Sequence, residues 1–267
     1  MKKYIAFFRL RFSMGLQYRA AALAGIATQF FWGAMEILMF RAFYRTNPDA
    51  FPMTLEATCA YVWLQQAFLA LFVTWVVENE IFDSILNGNI AYELCRPINI
   101  YNMWFSRNLA NRFSRALLRC MPILVLAFIL PAPYGLMAPA GLLAFFLFFL
   151  TTLLGVGVTV AFCMLIYMLC FFTISPMGLR IVTVSMVEFF SGGVIPLPFF
   201  PDGVREVFET LPFASMQNVP LRIYSGDLQG SEMYRAILLQ IFWLCTLIAV
   251  GKVLDTLAMK KITVQGG

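Results

Sequence analysis

The chain has 267 residues, 61% hydrophobic and only 12% charged, with a net charge of +5 and a mean hydropathy of +0.80. Soluble globular domains carry roughly 25% charged and about 45–50% apolar residues. A water-soluble fold is therefore excluded, because one core of this size cannot bury so much apolar surface, and disorder is excluded for the opposite reason.

Histidine is absent, which removes the commonest general base, the usual nucleophile–base pairs and the histidine metal ligands. Cys59, Cys95, Cys120, Cys163, Cys170 and Cys245 are scattered without a CxxC pair and read as free thiols serving as small apolar residues. In so apolar a chain the placement of charge matters more than its sum, so the positive balance does not imply a nucleic-acid partner.

The first nineteen residues, MKKYIAFFRLRFSMGLQYR, interleave Tyr4, Ile5, Phe7, Phe8, Leu10 and Phe12 with Lys2, Lys3, Arg9 and Arg11. The arginines interrupt any signal-peptide core. The pattern predicts a helix in the membrane interface, aromatics down and cations toward anionic headgroups. Six stretches then approach the roughly 20 apolar residues of a transmembrane helix: 20–40, 59–77, 114–130, 139–168, 178–197 and 235–256.

With a cytoplasmic N-terminus and six spans, only Arg41, Arg45, Arg205, Arg222 and Arg235 among the basic residues fall outside. Asp49, Glu56, Asp202, Glu206, Glu209, Asp227 and Glu232 also fall outside. The positive-inside rule thus places both termini in the cytoplasm.

Two connections are too long to be simple turns. The first, 78–113, opens with Ile81, Phe82, Ile85 and Leu86 at helical spacing, and Glu78, Glu80, Asp83 and Asn87 on the other face. Gly88 lies in an Asn-Gly-Asn turn. Tyr92 and Glu93 follow, and Arg96-Pro97 closes the element. An apolar ridge with an acidic rim suits docking on a soluble partner. The same helix lying on lipid would bring its acids against anionic headgroups.

The second, 190–233, is expected outside. Gly192, Gly193, Pro196, Pro198 and Pro201 break the fifth span, and Asp202 is placed to cap an amphipathic piece carrying Val204, Val207, Phe208 and Leu211. Pro212 breaks that piece, and another runs from about 214 to 223. Broken apolar backbone at membrane depth needs protein or a water-filled cavity around it, so the segment reads as short helices re-entering the outer leaflet. An ordinary exposed loop is the alternative.

No GxxxxGK[ST] phosphate loop is present. Glu36 and Glu188 are the carboxylates within predicted spans, candidates for a pathway or an intramembrane polar site. A structural hydrogen bond or ion pair between helices is the alternative for each. Phe30, Phe31 and Trp32, and the run Phe145, Phe146, Phe148 and Phe149, could line an apolar path or simply pack. Small residues at Ala21/Gly25 and Gly155/Thr159 permit close helix approach.

The interfacial N-terminal helix, ENEIFDSILNGNIAYELCRPIN after the second span and SGGVIPLPFFPDGVREVFETLPF after the fifth together resemble the permease subunit of type-2 ABC exporters, the bacterial ABC-2 family transporter proteins. The resemblance covers the whole chain as one transmembrane domain, 1–267. It divides into an interfacial helix (1–19), spans one and two (20–77), a cytoplasmic coupling region (78–113), spans three to five (114–197), an external re-entrant segment (198–233), and span six with the tail (234–267).

The resemblance implies an all-α integral membrane fold in the bacterial inner membrane. It implies a second permease copy, identical or paralogous, pairing through spans one and five. It also implies a separate ATP-binding cassette ATPase that binds ATP and Mg²⁺, so that no cofactor sits in this chain. The coupling helix resting on that ATPase would use Glu80, Asp83 and Glu93 as rim and Ile81, Phe82 and Leu86 as anchors. Phe82→Ala is then expected to uncouple transport and leave membrane insertion intact. An apolar or amphipathic cargo (drug, antibiotic, peptide or lipid) suits the aromatic content. The rival readings are a stand-alone carrier or channel and, with less to support it, a lipid-modifying enzyme.

Overall fold

The computed structural model describes residues 2–47, 51–75, 77–173 and 176–261, and among these all regular structure is helical. Asp49, counted above with the external acids, and the side chain of Lys261 lie outside the described residues. The helices are α1 (Lys2–Gly15), α2 (Arg19–Thr46), α3 (Leu55–Ala67), α4 (Leu69–Phe72), α5 (Asn79–Leu86), α6 (Ile90–Leu94), α7 (Ile100–Ile129), α8 (Leu142–Cys170) and α9 (Pro176–Phe190). A 3-10 turn (Leu197–Phe199) leads to α10 (Asp202–Thr210), α11 (Asn218–Ser225) and α12 (Gly230–Lys261).

Among the described residues, three helices are long and apolar enough to cross a membrane: α2, α8 and α12. Helix α8 is apolar on every face, as befits a helix with no solvated side. It is the centre of the molecule, packed on α12, α11, α7, α4, α5 and α9. Gly155 lets it touch the turn before α11, since a side chain there would collide with the Met216 carbonyl. Helices α2 and α12 lie outside it and leave Leu23, Phe31, Leu38, Leu238 and Phe242 exposed.

The other predicted spans take different bounds. The second is broken: α3 stops at Ala67, α4 ends at Phe72, and Val73 is extended. The freed carbonyls of Leu71 and Val73 accept from Arg112 Nη1 at 2.9 and 2.7 Å, so a guanidinium buried to 1% exposure closes the broken helix. The third begins well before 114. Asn99 caps α7, its side chain accepting the Asn102 N–H at 2.9 Å, and the helix includes Arg107 and Arg112, in a stretch that reads locally as loop. Helix α9 ends at Phe190, seven residues short of the predicted 197.

Helix α1 buries none of its residues and lies along α7. Lys3 Nζ donates to the Pro97 carbonyl at 2.6 Å, and the Asn99 N–H donates to the Tyr4 hydroxyl at 3.3 Å.

The two long connections sit at opposite ends of α8. Helix α5 packs on Tyr167 near its C-terminus and α11 on Phe148 near its start. At 1.5 Å per residue these positions are roughly 28 Å apart, close to the thickness of a bilayer's hydrocarbon core.

Candidate functional site

At one end, α5 and α6 form a short tip rooted in the body. Ile81 and Phe82 are buried in the largest apolar cluster. The apolar ridge, Leu86 excepted, therefore faces the chain's own core, which corrects the expectation that Ile81 and Phe82 present themselves to a partner. The reason is α8: Tyr167 offers its ring to Phe82, and its hydroxyl accepts the Glu78 N–H at 2.9 Å. Asp83, Leu86, Gly88, Tyr92 and Arg96 remain exposed. Glu93 is half-buried and accepts from Trp104 Nε1 at 2.7 Å.

Beneath the tip lies an ion network. Arg107, almost wholly buried, pairs with Glu78 at 3.2 Å and with Glu80. Asn111 Nδ2 donates to the other Glu78 oxygen at 2.5 Å. Arg11 of α1 reaches Glu80 at 3.8 Å. Burial and the neighbouring Arg107 hold the Arg11 guanidinium below its ordinary pKa, against the pull of Glu80 and Glu78. One carboxylate of α5 thus joins α1 and α7. The rim counted as free acid is only partly free.

At the other end, Gly192 adopts φ +79°, a conformation that favours glycine. The carbonyl of Gly193 accepts from Gln65 Nε2 at 2.7 Å, and that of Gly192 from the Tyr61 hydroxyl at 3.4 Å. Pro196 and Pro198 are buried, and Pro201 is exposed at the start of α10. Asp202 does not cap α10; it is the first helical residue, and its carboxylate pairs with Arg205 at 2.8 Å. Pro212 opens a turn into a segment buried from Phe213 to Ser225. Arg222 fastens it, holding Glu209 and Asp227 at 2.5 Å each.

Glu36 and Glu188 are brought together. Both line one cavity of about 850 Å³ bounded by α2, α3, α4, α7 and α9. Helix α2 supplies a single stripe to it: Gly25, Gln29, Trp32, Glu36 and Met39. Neither carboxylate forms an ion pair among the described residues. Gln65, Gln66 and Arg119 also line the wall, and sequence reasoning missed all three. Amides at 29, 65 and 66 inside two apolar helices are the available signal. In the phenylalanine run of α8, Phe148 is buried against Phe68 and Tyr224, whereas Phe145, Phe146 and Phe149 are exposed.

A family model described as ABC-2 family transporter protein matches residues 30–266. No curated protein matches the chain.

Proposed function

Because the chain belongs to the ABC-2 family of transporter proteins, we propose that it is the membrane-spanning permease of an ATP-driven exporter in the bacterial plasma membrane. In this reading α2, the α3–α4 pair, the apolar half of α7, α8, α9 and α12 are six spans, both termini are cytoplasmic, and the segment 198–233 is external. ATP and Mg²⁺ belong to a cassette ATPase subunit, and a second permease copy covers the exposed faces of α2 and α9.

The observation that carries the reading is the α5–α6 tip. It is rigidly held by Phe82–Tyr167 and Arg107–Glu78, and it offers Asp83, Leu86, Tyr92 and Arg96 outward. A tip of that kind transmits a push. Closure of an ATPase dimer would move it, and with it α8 and α7, shifting the permease between states of different access.

Co-expression with an ATPase encoded beside this chain tests the reading. The expected result is a stable complex that hydrolyses ATP in vesicles and falls apart in Leu86→Glu or Tyr92→Glu. Transport against a gradient by the lone chain, without nucleotide, would instead make it a secondary carrier.

A further inference from the structure

We propose that the cavity between α2, α3 and α9 binds an amphipathic organic cation, its charge held by the Glu36 and Glu188 carboxylates. The site deepens the permease reading by naming the cargo class, and rests on that reading for its role in transport.

The cavity is rich in acceptors that lack donors. Glu36 Oε1 is buried with no hydrogen-bond partner. Gln29 and Gln65 are 4% and 3% exposed, yet the Oε1 of each is also unpartnered, and both residues line the cavity. Buried acceptors of this kind are costly unless something donates to them. Carboxylates inside a membrane-spanning bundle are costlier still without a counter-charge.

The charged groups on the wall are Glu36 from α2, Glu188 from α9 and Arg119 from α7; α3 and α4 contribute none. Arg119 lies against Gly25, nearly two turns from the start of α2, with its Nε unpartnered. Glu36 is eleven residues farther along the same helix, roughly 16 Å away at 1.5 Å per residue. The cation on the wall is thus well removed from Glu36, and neither Glu36 nor Glu188 forms an ion pair among the described residues. Trp32 and Met39 supply apolar wall beside the acids, and an indole face attracts an organic cation. A volume of about 850 Å³ accommodates a drug-sized molecule. An inorganic cation would leave most of that apolar wall unmatched.

The test is equilibrium binding of tetraphenylphosphonium to the full chain in lipid nanodiscs, with empty nanodiscs as background. Tetraphenylborate, of the same shape and opposite charge, is the comparison. Saturable binding is expected, with the cation preferred over the anion by about tenfold or more, and Glu36→Gln or Glu188→Gln should each weaken it about tenfold. Arg119→Gln should leave cation binding equal or tighter. Equal binding of the two ions, or an unchanged preference in the Glu36→Gln/Glu188→Gln double variant, overturns the proposal. Should a neutral variant fail to fold, the preference of the native chain decides alone. If the preference holds and no ATPase associates, the permease reading falls and the site stands. If an ATPase associates and there is no preference, the site falls and the reading stands.

Discussion

The ring of Phe82 stands edge-on to that of Tyr167, with 5.2 Å between centroids and 62° between planes. The Tyr167 hydroxyl also receives the Glu78 N–H at 2.9 Å and Asn108 Nδ2 at 3.2 Å. A single side chain of α8 therefore seats Phe82 of α5, the start of α5 and the first third of α7.

Phe82→Ala should thus act on the fold before it acts on coupling. Removing a buried ring costs about 3–5 kcal/mol, and a large drop in the melting temperature of the nanodisc-held chain is expected. Leu86→Ala and Tyr92→Ala, on exposed side chains, should stay within about 0.5 kcal/mol of the native chain while weakening association with the ATPase.

Arg107 and Glu80 should differ in the same way. Arg107→Ala leaves the Glu78 carboxylate, whose side chain is 11% exposed, without its ion pair, at about 3–5 kcal/mol. Glu80→Ala removes a partner whose side chain is 71% exposed, and less than about 1 kcal/mol is expected. Denaturant titration of both variants measures the contrast.

Arg112→Leu should be poorly tolerated despite its apolar surroundings. The guanidinium satisfies the carbonyls of Leu71 and Val73 and the Asn108 side chain. Each buried acceptor left empty costs about 1–3 kcal/mol. Expression yield and monodispersity in detergent should fall sharply, and Arg112→Lys should recover part of the loss.

Gly155→Ala and Gly178→Ala should separate packing from propensity. At Gly155 the new Cβ meets the Met216 carbonyl, whereas at Gly178 nothing lies within 4 Å. Overpacking costs about 1–3 kcal/mol at the first site. The second should gain up to about 1 kcal/mol from helix propensity. Thermal melts of the two variants check this.

The proposed topology has a direct readout in a background with Cys95 and Cys245, both exposed, replaced by serine. Asp202→Cys should react with a membrane-impermeant maleimide in intact cells. Asp83→Cys should react only after permeabilisation. The reverse pattern would put the tip on the wrong side for an ATPase.

Much was legible in advance because lipid imposes a simple demand: each span needs a long apolar run. That requirement marks α2, α8 and α12 by composition alone, and glycine and proline at 192–201 mark the break after α9. The predicted second and third spans resisted, because their polar content is satisfied by distant partners. Arg112 is tolerable mid-helix only because the ends of α4 and Val73 need its donors, and local hydropathy cannot see that.

Sequence by itself settled the solvent this protein lives in and the amphipathic character of α5, since both follow from residue types and spacing. Tertiary structure decided which way α5 turns. Its ridge could have faced a partner or the chain's own body, and the choice fell inward because Tyr167 and Arg107, remote in sequence, offer a ring and a counter-charge there. The meeting of Glu36 and Glu188 is of the same kind. Two isolated carboxylates come to line one cavity only when helices separated by more than a hundred residues close around a common space.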